Sequence, residues 1–205
     1  DRTEYLLGTI KTNPAFAIIK ILKKLQDVGA TIAGIPCNTA HSKEIFGLIK
    51  NELKANKLSI KLLNMIEETV MYISNNYPNI TKVGVLSTTG TYKSEVYNKS
   101  LKLNGYKVII PTIEMQKNII HPAIYHPKYG IKSTANAIHP KAKESLLQGA
   151  LYLKNQGAEV VILGCTEIPL AITEEKIYNM ITIDPTNILA RSLIKQSTPD
   201  KLKPI

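Results

Sequence analysis

Cys37 and Cys165 are the only thiols in this 205-residue chain, and both occupy the same local setting. Residues 29–39 read Gly-Ala-Thr-Ile-Ala-Gly-Ile-Pro-Cys-Asn-Thr, and residues 157–167 read Gly-Ala-Glu-Val-Val-Ile-Leu-Gly-Cys-Thr-Glu. In each copy Gly-Ala opens a short apolar run, the cysteine follows the glycine by eight residues, and small polar residues come next. A thiolate is a base and a thiol is an acid, so two matched cysteines suit proton transfer at both faces of one substrate. The bland role for a cysteine is an inert buried residue, and repetition of the whole context argues against it here. A disulfide is possible in principle, but the chain does not read as a disulfide scaffold. Nothing resembles a signal peptide, and a cytoplasmic location is expected. The histidines His41, His121, His126 and His139 show neither Cys-x-x-Cys nor His-Glu-x-x-His spacing, so no metal site is expected.

The elements that must position these thiols can be read from hydrophobic pattern. Ile32 to Pro36 and Val160 to Gly164 are short, apolar and without a helical period, as in strands buried on both faces of a parallel sheet. A helical stripe precedes each: Ala15, Ile18, Ile19, Leu22 and Leu25 in one case, Ala142, Leu146, Ala150 and Leu153 in the other. Gly29 and Gly157 stand where a helix C-terminal glycine belongs. Strands are expected near 31–36, 60–65, 82–88, 107–111, 160–164 and 181–184. Helices are expected over 14–28, 40–55, 67–76, 93–104, 140–156 and 186–196. Alternation of strand and helix predicts an α/β fold with parallel sheets. Ligands of such sheets bind beyond the carboxyl ends of the strands, which is where both thiols fall. Helix N-termini after each cysteine are expected to favour the thiolate and to hold a carboxylate, with help from Asn38, Thr39 and Thr166.

These residues resemble the aspartate/glutamate racemase family. Pro36-Cys37-Asn38-Thr39-Ala40-His41 and Leu163-Gly164-Cys165-Thr166-Glu167-Ile168-Pro169-Leu170 are similar to its two signature motifs. Asp1-Arg2-Thr3, Val83-Gly84-Val85-Leu86-Ser87-Thr88 with Gly90-Thr91, Tyr125 with Gly130-Ile131-Lys132, and Asp184-Pro185-Thr186 look like further family segments. Glutamate racemases usually continue the second motif with His, where this chain has Glu167; that favours the aspartate racemase branch. The resemblance implies two similar three-layer α/β domains related by a pseudo-twofold axis, with the site in the cleft between them. The first would be 1–65 plus 184–205, since the family's last helix returns to it, and the second 66–183. It also implies a homodimer. The family usually begins with a further strand and a glycine-rich turn. Residues 1–13 read as loop, so the first domain is expected to be N-terminally incomplete.

The activity implied is interconversion of L- and D-aspartate, or of glutamate, by a two-base mechanism without a cofactor. Cys37 and Cys165 would exchange the roles of base and acid with direction, their sulfurs facing each other about 7 Å apart across the substrate, two reaches of about 3–3.5 Å. Asn38, Thr39, Thr91 and Thr166 are candidate substrate donors that would stabilise the carbanion electrostatically; capping is their bland role. By resemblance Arg2 and Lys132 bind substrate carboxylates, though either could be ordinary surface charge. Glu167 orients the amine, tunes the site or serves a helix terminus. His41 reads as structural. Two other classes stay open: a one-cysteine relative of the maleate isomerase or decarboxylase kind, and a catalytically silent binding protein on the same fold.

Composition adds bounds. Apolar residues make up 44% of the chain, enough for a core, and no run approaches the length of a membrane span. The net charge of +10 raises the question of nucleic acid. The lysines are scattered without interleaved aromatics, so a solvated surface is expected instead, with a modest pull on a dicarboxylate. No Rossmann or P-loop glycine fingerprint appears. The stretch 119–140, with Pro122, Pro127, Gly130 and Pro140, is expected to be a loop near the cleft.

Overall fold

A computed structural model describes residues 1–134 and 137–204. Among the described residues, seven strands form two sheets. Strands β1 (Ile32–Gly34) and β2 (Lys61–Leu63) pair in parallel, with Ile32 opposite Lys61. The larger sheet contains β3 (Lys82–Ser87), β4 (Lys107–Ile109), β5 (Val160–Gly164), β6 (Lys176–Ile177) and β7 (Met180–Ile183), in the order β4-β3-β5-β7-β6. All neighbours run parallel except β6 and β7. The central strand β5 is buried along its whole length, as its unbroken apolar run requires.

Helices cover these sheets. Between the N-terminus and β3 lie α1 (Arg2–Leu6), α2 (Ala15–Asp27), α3 (Lys43–Ala55) and α4 (Met65–Asn76). Then come α5 (Thr89–Ser94), α6 (Val96–Leu103), α7 (Ile113–Met115), α8 (His121–Tyr125), α9 (Pro140–Asn155), α10 (Ile168–Ala171) and α11 (Pro185–Ser197). One face of the larger sheet buries Leu86, Val161 and Leu163 against Leu146, Ala150 and Leu153 of α9. The other buries Val83, Val85 and Ile162 with Ile66, Val70 and Ile73 of α4 and Tyr97 and Leu101 of α6. The smaller sheet packs Ala33 against Ile19, Leu22, Ile45 and Ile49. Helix α11 lies against both α4 and β1, with Leu189 packed on Leu63 and Met65. No helix among the described residues is long and apolar enough to cross a membrane.

The duplicated lead-in to each cysteine is structural as well as sequential. After α2, the Gly29 amide donates to the Gln26 carbonyl and Ala30 to Leu25; after α9, Gly157 donates to Lys154 and Ala158 to Leu153. Both are Schellman turns, and both glycines are left-handed, with φ of +92° and +91°. The same turn therefore launches both thiol-bearing strands.

Four expectations need correction. Residues 1–13 are not all loop: Asp1 accepts from the amides of Thr3 and Glu4 and caps α1. The stretch 119–140 begins helical, because the helix α7 continues through a π-turn over Gln116–Ile120 into α8, and the widened turn comes just before Pro122, which has no amide to donate. Ala135 and Asn136 of that stretch lie outside the described residues. The helix expected over 93–104 is two helices, broken where Glu95 turns left-handed at φ +55°. Finally the sheet is not wholly parallel, since β6 and β7 form a hairpin. Its two turn residues, Tyr178 and Asn179, have φ of +49° and +61°. A two-residue turn of that hand usually advertises itself with glycine, and this one has none.

Candidate functional site

The carboxyl ends of β1, β3 and β5 converge on one small pocket. It is lined by Asp1, Arg2, Thr3, Cys37, Asn38, Thr39, Thr88, Tyr125, Lys132, Gly164, Cys165, Thr166 and Glu167. Its volume is only about 20 Å³, room for a single water. Asp1, Arg2, Lys132 and Glu167 are the charged residues of its lining. A larger hollow of about 800 Å³ lies beside α4, α11 and the hairpin, but neither thiol lines it.

Both cysteines are free thiols, and their partners are opposite in charge. Arg2 donates from Nε to Cys37 Sγ at 3.3 Å. That contact, first of all through the charge on Cys37, raises the arginine above its ordinary range. Cys165 instead donates its thiol proton to Glu167 Oε2 at 2.9 Å. Burial, and then the adjacent carboxylate, push this thiol well up. Glu167 also accepts from Thr166 Oγ1 at 2.9 Å and pairs with Lys132 Nζ at 2.7 Å. Burial alone would raise Glu167, but these three donors outweigh it and hold the carboxyl below its ordinary range. Burial likewise pulls Lys132 down, and Glu167 and Cys165 more than reverse it.

The expected effect of helix N-termini on the thiols needs correction at Cys165. The helix after it, α10, has four residues and begins at Ile168. Such a short helix offers little dipole, and burial beside Glu167 decides the matter in the opposite direction. After Cys37 the chain makes a 3-10 turn, Asn38–His41, before α3 starts under a Ser42 cap.

Behind the lining lies a buried hydroxyl cluster. Thr39, Thr88 and Thr91 form a triangle with O···O distances of 3.0, 2.8 and 3.1 Å. Thr3 donates to Thr88 at 3.4 Å, and Tyr125 donates to Thr3 at 3.0 Å. Thr91, a sequence candidate for substrate contact, therefore stands one hydroxyl behind the lining, because it sits inside α5 and its oxygen is taken by this cluster. Thr3, Thr88 and Tyr125, which the sequence offers only as parts of larger segments, line the pocket. The Tyr125 ring lies 5.5 Å beneath the Lys132 ammonium.

His41 is structural. It accepts from the Met65 amide at 3.1 Å through Nε2, so Nδ1 carries the proton and donates to the Cys37 carbonyl at 3.0 Å. Its ring stacks on Phe46 at 4.7 Å. Burial pushes it down to about 4. An unfolded histidine takes its proton near 6.5, so the fold is expected to hold its full stability above that pH and lose it as pH falls toward about 4. The loss should reach roughly 3 kcal/mol. Urea titrations at steps between pH 7 and pH 4 measure it. His41→Gln should be less stable at pH 7 yet flatter with pH; a variant that keeps the wild-type slope would assign the acid loss to other groups.

The Asp/Glu/Hydantoin racemase family model matches residues 2–193. The chain belongs to this racemase family. Membership makes it an isomerase. The broad specificity amino-acid racemase RacX of Bacillus subtilis is 29% identical over 178 residues, which is 87% of this chain and 70% of that racemase. A glutamate racemase of Limosilactobacillus reuteri is 29% identical over 157 residues, spanning 76% of this racemase-family chain but half of the relative. Among solved structures, the aspartate racemase of Picrophilus torridus superimposes with a TM-score of 0.73 at 28% identity, covering 96% of this chain and 74% of that one.

Proposed function

We propose that the protein racemises an acidic amino acid, aspartate in preference to glutamate, by a two-base mechanism that needs no cofactor. The observation that carries this reading is the charge opposition at two free thiols on one pocket: a cation on Cys37 and a carboxylate on Cys165. A guanidinium stands against one sulfur, and burial beside a carboxylate keeps the proton on the other, an asymmetry that suits a relay with one acid and one base. The Cys37 thiolate takes the α-proton, the C–H electron pair stays on the α-carbon and its carboxylate, and Cys165 delivers its own proton to the opposite face. The reverse direction starts from the complementary protonation state.

Arg2 and Lys132 are the proposed carboxylate anchors, and the carbanion would be stabilised by Asn38, Thr39 and Thr166. Because the pocket holds about one water, substrate enters by exchanging with the contacts of Arg2, Lys132 and Glu167. The shorter dicarboxylate asks less of that exchange, which supports aspartate, as does the similarity to an aspartate racemase. The reading treats 1–65 with 184–205 and 66–183 as two units meeting at the pocket, in a homodimer. Separate sheets, and the reach of α11 to β1, support the division.

The direct test incubates the protein with L- and D-aspartate and L- and D-glutamate in deuterated water, without cofactor. Deuterium at the α-carbon and formation of the opposite enantiomer are expected, faster with aspartate. No exchange with any of the four would overturn the proposal.

A further inference from the structure

Asn38 is 2% exposed and lines the pocket, yet its Nδ2 has no partner among the described residues. A buried amide donor without a partner is costly unless something else accepts from it. The other arm of the same amide is fixed: Asn38 Oδ1 accepts from the Tyr97 hydroxyl. Tyr97 sits in α6, 2% exposed, among Val83, Val85 and Ile162. The left-handed break at Glu95 is what separates α6 from α5 and lets each follow its own direction. The ring also reaches the second thiol motif. A Cβ added at Gly164, the residue before Cys165, would lie 3.3 Å from Tyr97 Cε2.

We propose that Tyr97 is a positioning residue that links the two thiol motifs, holding the Asn38 amide so that its NH2 is presented to a substrate carboxylate and bracing the strand end before Cys165. An amide turned the other way would offer its carbonyl to an anion. The hydroxyl opposes that turn, because with the amide reversed the phenol proton would lose the one acceptor it has among the described residues. Burial pushes the phenol well up, so it stays a donor throughout the working pH range. This inference rests on the racemase reading for its substrate, while the link between Tyr97 and Asn38 stands on geometry.

Tyr97→Phe keeps the ring and removes the hydroxyl. It should raise KM for aspartate about tenfold, with kcat changed less than about twofold. In an Asn38→Ala background the same change should cost less than about twofold, because its route of action is gone. Losses that simply multiply in the double variant, or kcat and thermal stability falling together without a KM effect, would reduce Tyr97 to a core residue and overturn the proposal. A second measurement needs neither turnover nor a variant that folds. In the wild type the Tyr97 hydroxyl proton should show a nuclear Overhauser contact with the Asn38 side-chain amide, and its absence would overturn the link. Wild-type protein with the contact but without racemisation would defeat the function proposed above and leave the link intact.

Discussion

Cys37→Ser and Cys165→Ser are each expected to lose racemisation by roughly 10²–10⁴-fold or more, the span that a positioned acid or base contributes. Serine keeps the shape of the side chain but is too weak an acid to stand in for either sulfur. The informative part is what survives. Each single variant retains one thiol, and that thiol still faces one side of the α-carbon. Deuterium should therefore still enter one enantiomer, and the enantiomer should be opposite in the two variants. A nucleophilic mechanism lacks this symmetry, because only one cysteine would form the covalent bond. Proton NMR of L- and D-aspartate in deuterated water follows both signals in one tube. Full racemisation by either variant would remove the two-base mechanism.

Glu167→Gln should lower kcat/KM by about ten- to a hundredfold, the range for losing hydrogen bonds to a charged group in a half-buried site. The substitution keeps an acceptor oxygen near Cys165 but removes the negative charge that pairs with Lys132 at 2.7 Å. The pH profile should move as well, and its direction follows from the site. Burial and the carboxylate both push the Cys165 thiol up. Without the carboxylate the thiol ionises at lower pH, although burial continues to hold it above the ordinary range. The mechanism needs this sulfur protonated to act as the acid, so the alkaline limb of the rate profile should shift toward lower pH. A limb that stays in place, or moves upward, would show that Glu167 does not tune Cys165.

The duplicated thiol motif makes much of this site legible in the amino-acid sequence. Repetition of Gly-Ala, an apolar run and Cys marks two strands, two helix stops and the placement of both sulfurs at strand ends, since each of those features depends on local pattern alone. Arg2, Asn38, Thr39, Lys132, Thr166 and Glu167 follow from motif resemblance, and the pocket gathers all six. What escapes depends on contacts distant in sequence or on turns without a sequence mark. Tyr97 reads as one more apolar position of a helix, and nothing local connects it to Asn38, 59 residues away. The hairpin at Tyr178 and Asn179 carries no glycine. The helix break at Glu95 has neither glycine nor proline, so continuous periodicity predicts a single helix. The cap on α1 is an aspartate placed ahead of Thr3 and Glu4, a signal present in the sequence but outweighed by the loop character of the whole segment.

The unlike companions of the two sulfurs have a kinetic corollary. Mirror-image amino acids have equal free energies, so their interconversion has an equilibrium constant of unity, and kcat/KM must be identical for the two hands. Arg2 beside one thiol and Glu167 beside the other therefore cannot give the catalyst a preferred direction at low substrate. Their inequality can emerge only under saturation, as a higher kcat for one hand matched by a proportionally higher KM. Near saturation, progress curves begun from pure L and from pure D substrate would trace different paths to the same racemate.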